Sequence, residues 1–159
     1  MVIGLQTETD EDVRLRTEME RMADSYDSYM RAITLGSERK LRNLTVGLAQ
    51  LRPGDQALEV GCGTGTLTLA AKRQVGALGQ AYGIDMIPKM IELSRRKAAQ
   101  AGVEISFQPG SIEDIPFPAA KFDAVLCSFM IFHMSEEVRR RGIQEIRPLV
   151  SYVRGLAGD

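Results

Sequence analysis

Histidine and cysteine are scarce in this chain: 159 residues hold one histidine, His133, and two cysteines, Cys62 and Cys127. A zinc site draws three or four ligands from those types and carboxylates, so no metal is expected. The two cysteines lie in segments that both read as buried, which fits free thiols in a reducing compartment better than a disulfide framework. Long apolar runs are missing too, none approaching the roughly 20 residues needed to span a bilayer. The first residues, MVIGLQTETDEDV, lack the charged-then-apolar layout of a signal peptide. No membrane span and a cytoplasmic location are therefore expected. A formal net charge of -1 removes any global pull toward nucleic acid or anionic membrane. Partners must be sought at a site.

What is present is an alternation of strand and helix patterns. Residues 9–31, TDEDVRLRTEMERMADSYDSYMR, carry apolar positions at helical spacing, and SERKLRNLTVGLAQL at 37–51 repeats the pattern with Ser37 placed as an N-cap. The turn RPGD then launches the short apolar strand QALEV, followed at once by GCGTG and a helix expected over Thr64 to Gln74. AYGIDMI at 81–87 reads as the second strand, 87–102 as a helix stopped by Gly102, and VEISFQP as the third strand. A loop, GSIEDIPFPAAK, leads to a fourth strand, FDAVLCSFM, and a last helix begins at Ser135 with Glu136 and Glu137 in its first turn. This order predicts an α/β fold with a parallel sheet. It also suggests a helical cap at 1–51, a ligand-binding unit at 52–150 and a short tail at 151–159.

In such sheets ligands sit beyond the carboxyl ends of the strands, where glycines let the backbone come close. The stretch LEVGCGTGTLTLA fails the dinucleotide fingerprint, because Gly61 and Gly63 match but Thr66 stands where the third glycine belongs. The pattern is Glu59 followed by Gly61, Gly63 and Gly65. A carboxylate at a strand end repels pyrophosphate but holds an ammonium group. Asp85 closes the second strand, where an acid accepts both hydroxyls of a ribose. One loop speaks for an amino acid and the other for a nucleoside.

LEVGCGTGTLTLA, YGIDMIPKMIELSRRKAAQAG, GSIEDIPFP and FDAVLCSFMIFHM, in this order over residues 23–147, resemble the successive motifs of class I S-adenosylmethionine-dependent methyltransferases. The likeness is greatest to the small-molecule branch that includes the ubiquinone/menaquinone methyltransferases. It implies a Rossmann-like parallel sheet in the order 3-2-1-4, flanked by helices, with N-terminal helices in front and a truncated C-terminal part. It implies S-adenosylmethionine as the cofactor and a small-molecule methyl acceptor, with no nucleic acid. Glu59 would hold the methionine amino group, and Gly61, Cys62, Gly63, Thr64 and Gly65 would line its backbone and the ribose. Asp85 would take the ribose hydroxyls, Met86 would pack on the adenine face, Ser111 and Ile112 would meet the adenine edge, and Ser128 would face the methionine portion.

Met86 is equally readable as a core methionine that fills a gap. His133 is the candidate for substrate contact or proton removal, and Tyr26 and Tyr29 for a lid over the substrate, although tyrosines of a packed helix need no such role. Arg139, Arg140 and Arg141 read as the solvated face of the last helix. Relatives in this branch continue through further strands where this chain has IRPLVSYVRGLAGD. The apolar fourth strand is therefore expected to be an uncovered edge, to be closed by a fold-back of 149–157, by a homodimer or by a partner chain. The alternative to an enzyme is a protein that binds S-adenosylmethionine without turnover, or a subunit that needs a partner.

Overall fold

The computed structural model describes residues 10–130 and 134–151. Three helices come first: α1 (Asp10–Met22), α2 (Tyr26–Ile33) and α3 (Glu38–Leu48). Then follow β1 (Gln56–Val60), α4 (Thr66–Val75), β2 (Gln80–Asp85), α5 (Pro88–Gln100), β3 (Ser106–Pro109), β4 (Ala124–Cys127) and α6 (Glu136–Ile146).

The four strands form one parallel sheet, as the strand-helix alternation predicts, in the order β3-β2-β1-β4 that the family resemblance implies. In β1 every residue after Gln56 is buried, the signature of a parallel strand covered on both faces. Leu67, Ala71 and Val75 of α4 join Val46 of α3 and Leu126 of β4 in one core layer. Leu58, Ile84, Ile112 and Phe122 build another, which reaches Val138 and Ile146 of α6. A third lies under α5, where Cys62, Ile91, Ala98 and Phe107 meet.

Several boundaries differ from expectation, each for a local reason. The first helical segment breaks into α1 and α2 at a 3-10 turn over Ala23–Ser25. There the Ser25 hydroxyl donates to the Met22 carbonyl at 3.1 Å, an alternative to helical continuation that serine readily takes. Ser37 stands at the N-cap position of α3 but makes no side-chain capping bond. Ser135 does cap α6, accepting from the Val138 amide at 3.3 Å. The helix expected from Thr64 starts two residues later, because its N-cap is Gly65 at φ +79, outside helical backbone.

β4 is shorter than FDAVLCSFM. At its start Asp123 is held to Gln56, donating its amide to the Gln56 carbonyl at 2.8 Å while its carboxylate accepts the Gln56 amide at 2.8 Å. At its end Phe129 takes φ +55 and the Met130 amide donates to the Ser128 carbonyl at 2.5 Å, a tight γ-turn that leaves the sheet. The outer edge is partly closed by the chain itself. Phe122 donates to Leu149 at 3.0 Å and accepts from Ser151 at 2.9 Å, a parallel bridge centred on Val150. Beyond this bridge β4 pairs only with β1 among the described residues.

Candidate cofactor site

The carboxyl ends of β1 and β2 are joined by backbone before any side chain is considered. The amides of Gly61 and Cys62 both donate to the Ile84 carbonyl, at 2.8 and 2.9 Å. Asp85 then closes β2 and grips the glycine loop, its Oδ2 accepting the Gly63 amide at 2.8 Å and its Oδ1 the Ile87 amide at 2.9 Å. A carboxylate offers about four acceptor positions, so each oxygen retains capacity for a hydroxyl. Burial raises the Asp85 pKa, while the amides of Ile87 and Gly63 oppose that rise.

Gly65 is required at its place. A Cβ there would stand 2.8 Å from Phe107 Cζ and 2.9 Å from Ser94 Cβ, and its φ of +79 is left-handed. The same Phe107 ring fills the space beside Gly83 of β2, where a Cβ would fall 2.6 Å from the ring. Beneath the loop lies Glu59, 2% exposed, whose Oε2 accepts the Thr68 hydroxyl. Burial pushes the Glu59 carboxyl up to about 7 against the Thr68 hydrogen bond and the Arg42 charge, which pull it down. This acid is thus poised to gain or lose its proton near neutrality.

The helical cap is tied to the loop by an ion pair. Lys97 Nζ of α5 lies 2.6 Å from Asp27 Oδ2, and donates to Thr64 Oγ1 at 2.8 Å and Thr66 Oγ1 at 2.9 Å. The Thr64 hydroxyl donates to Asp27 Oδ1 at 2.6 Å. Burial would raise the Asp27 pKa, but its bonds to Lys97 and Thr64 outweigh this and hold it below the usual range. Next to Asp27, half-buried Tyr26 leans over Gly63, its ring 3.8 Å from where a Cβ would be. Burial raises the Tyr26 pKa, so its hydroxyl keeps its proton.

Glu59, Gly61, Gly63, Gly65, Asp85 and Tyr26 therefore meet at one end of the sheet. Cys62 presents only its backbone there, since its side chain is buried with Ile91 and Phe107 and burial pushes its thiol pKa up. Thr64 spends its hydroxyl on Asp27 and Lys97. Met86 is 45% exposed, which removes the core reading. The Gly110 amide donates to the Asp85 carbonyl at 3.1 Å and sets Ser111 and Ile112 beside Asp85. The Ile112 side chain is buried against Gly142 of α6, so only its backbone is free to face a ligand. Ser128 accepts from Arg42 Nη1 at 2.7 Å. Tyr29 is 46% exposed, and His133 lies outside the described residues.

Arg42, Thr68, Asp27 and Lys97 bond to residues around the loop, to Ser128, Glu59, Thr64 and Asp27 among them, and the motifs did not reveal them. Thr68 lies on a buried face of α4 that is otherwise apolar, Arg42 lies on a charged face of α3 that packing has closed, and the Asp27 to Lys97 pair joins residues 70 positions apart. Pattern alone carries no signal for either.

A cavity of about 390 Å³ lies at the other end of the strands beside Gln80, Ala81 and Ser106, away from these groups. Met130 covers the loop instead, and a Cβ at Gly61 would overlap its sulfur. Among the described residues no three His, Cys, Asp or Glu side chains converge as for a metal, and no helix is long and apolar enough to cross a membrane. A side-chain-free cradle, an acid with spare lone pairs at the β2 end and a buried acid near neutrality fit a nucleoside that carries an amino acid end.

Sequence comparison agrees with this geometry. Residues 57–151, more than half of the chain, match the family model described as a methyltransferase domain. The chain belongs to this family and has the fold of class I S-adenosylmethionine-dependent methyltransferases. It is similar to the demethylmenaquinone methyltransferase of Symbiobacterium thermophilum, 35% identical over 70% of this chain and 45% of that one. It also resembles the 2-phytyl-1,4-naphthoquinone methyltransferase of Trichormus variabilis, 29% identical over 84% of this chain and 58% of the relative. Among solved structures, a methyltransferase from Aquifex aeolicus superposes with a TM-score of 0.66 at 20% identity, covering 85% of this chain and 66% of that one. The chain spans about half the length of the curated relatives it matches.

Proposed function

We propose that this chain binds S-adenosylmethionine across the ends of β1 and β2 and serves methyl transfer to a quinone-type small molecule. The observation that carries this is the Asp85 carboxylate, which holds the glycine loop through Gly63 and keeps acceptor capacity beside it. Asp85 would accept the ribose hydroxyls, Glu59 would face the amino group, and the backbone of Gly61 to Gly65 would lie along the ligand. Met86 and the Ser111–Ile112 backbone would bound the adenine. Support for the acceptor class comes from the relatives, whose names specify demethylmenaquinone and a phytyl naphthoquinone. Free Cys62 and Cys127 agree with a reducing, cytoplasmic setting.

When bound, S-adenosylmethionine supplies an electrophilic methyl group. The chain's own contribution is alignment and exclusion of water: Tyr26 closes over Gly63 from the cap, and Asp27 with Lys97 keeps that cap in place. Glu59 supplies a negative charge that strengthens as its proton leaves.

The test is calorimetry with S-adenosylmethionine, S-adenosylhomocysteine and NADH. Binding of the first two and not the third is expected, and Asp85→Ala, still folded, should lose it. Labelled methyl donor with a prenylated naphthoquinol then reads transfer. Binding with no transfer in any preparation would favour the alternative, a binding subunit that needs a partner chain.

A further inference from the structure

Ile33, Leu35, Leu41, Leu44 and Leu48 all stand exposed at the end of α2, in the turn that follows it and along α3. Single exposed leucines are ordinary, but a contiguous apolar surface marks a place that something covers. Leu41, Leu44 and Leu48 recur at i, i+3 and i+7, which puts them in one stripe of α3. The core has no claim on that stripe, because α3 already turns Arg42 and Val46 inward. The division on α2 is the same. Tyr26 leans over Gly63 and Met30 is buried, while Tyr29 and Ile33 face out.

Leu35 is the sharpest case. It is 92% exposed and holds φ +48, a left-handed backbone that is costly for a residue with a side chain and free of strain only for glycine. The turn is nonetheless fixed by its own backbone. The Leu35 amide donates to Ala32 at 3.1 Å, the Gly36 amide to Arg31 at 2.8 Å and the Ser37 amide to Thr34 at 2.8 Å. A large apolar side chain is thus held out in water at the tip of a hydrogen-bonded hairpin.

Charge selects what covers this surface. Between Asp27 and Asp55 the sole acid is Glu38, which is turned toward Arg42 at 3.4 Å. Arg31, Arg39, Lys40 and Arg52 are exposed around it, a local basic surplus in a chain of net charge -1. Leucines beside exposed bases are the composition of a helix that lies in the headgroup layer of an anionic bilayer.

We propose that the α2–α3 hairpin docks on an anionic lipid surface, with Leu35 inserted, the leucine stripe of α3 in the headgroup layer and the bases on lipid phosphates. The docking face is the outer side of the cap whose inner side, through Tyr26, covers the glycine loop. On the acceptor reading above, an acceptor with a long apolar tail is itself held in lipid, and this face brings the site to it. The docking itself needs neither cofactor nor acceptor, so it can fail while the methyl-transfer reading stands, and the reverse.

Co-sedimentation with vesicles of phosphatidylcholine, with and without phosphatidylglycerol, is the test. The natural chain should bind the mixed vesicles, bind plain phosphatidylcholine far less, and lose affinity as salt is raised. Leu35→Glu and Leu44→Glu should each weaken binding by about tenfold or more, the loss of one buried leucine. Leu78→Glu, at a leucine 89% exposed between α4 and β2, should leave binding unchanged, and joint Arg39→Glu and Lys40→Glu should abolish the preference for phosphatidylglycerol. A natural chain that binds neither vesicle overturns the proposal without any variant. Equal losses in Leu35→Glu and Leu78→Glu overturn it as well. A dimer that Leu44→Glu splits, together with no vesicle binding, gives the face to a second copy of the chain and overturns it too.

Discussion

The Thr68 hydroxyl donates to Glu59 Oε2 beneath the glycine loop, with both side chains almost wholly withdrawn from water. A single hydroxyl thus supports an acid whose burial lifts its pKa from 4.5 to about 7. The folded chain binds a proton there that the unfolded chain releases between those values. Stability therefore falls as pH rises from 4.5 to about 7 and levels off above. Glu59→Gln should flatten that slope, read as the difference between variant and natural chain in urea unfolding midpoints from pH 4 to 8.

The same proton should report on the ligand. An ammonium group brought to Glu59 favours its ionised form, so binding of S-adenosylmethionine at about pH 6 should release a proton. Calorimetry in buffers of different ionisation enthalpy measures it. Glu59→Gln should show no such release, and an unchanged release would place the amino group elsewhere.

Gly65→Ala should destabilise the chain by more than about 2 kcal/mol, since left-handed backbone and overpacking both count against it. The added Cβ meets Phe107 and Ser94, neither of which has a flexible end to give way. Thermal or urea unfolding checks the loss.

Lys97→Met should release the cap with little global cost. The pair is half-open to solvent, with Asp27 at 45% exposure, which limits its value to about 1 kcal/mol or less. Amide exchange in α2 should accelerate roughly fivefold, the equivalent of that energy. Acid should act in the same direction. The depressed Asp27 pKa gives a contribution present above the unfolded value and lost as pH falls through the folded one.

Gly142→Ala should move the loop that carries Ser111 and Ile112. A Cβ at Gly142 would come within 2.6 Å of Ile112 Cδ1, so α6 or the loop must shift at a cost of about 1–3 kcal/mol. Loss of stability together with weaker binding of adenosine-containing ligands is expected, measured by melting and calorimetry. Unchanged ligand affinity in the destabilised variant would separate Ile112 from the adenine edge.

The strands themselves were legible because β1 and β2 are short apolar runs bounded by turn residues, and β4 needed only its apolar centre to be recognised, whereas their order followed from the family resemblance. Its length was not legible, since the γ-turn at Phe129 and the Asp123 to Gln56 bonds are tertiary facts. The glycine loop announced itself through Glu59 and Asp85 at fixed offsets. Side-chain direction did not follow from those offsets: Cys62 and Ile112 stand in motif positions yet turn into the core. Arg42 was hidden for the opposite reason, a charged residue on a helix face that packing closed. Of the closures expected for the β4 edge, the fold-back of 149–157 is met in part, by the parallel bridge between Phe122 and Val150.

Phe107 gives the loop a shape it cannot make alone. One ring from β3 occupies the room left by the missing side chains of Gly65 and Gly83, so the ligand-facing contour is a cast of an aromatic placed behind it. These three positions therefore pack as one unit. A smaller residue at 107 should open a void beside 65 and 83, and a side chain at either position meets the ring unless 107 is reduced. Their effects on stability should be strongly non-additive, and exchanging this ring would reach the ligand without touching it.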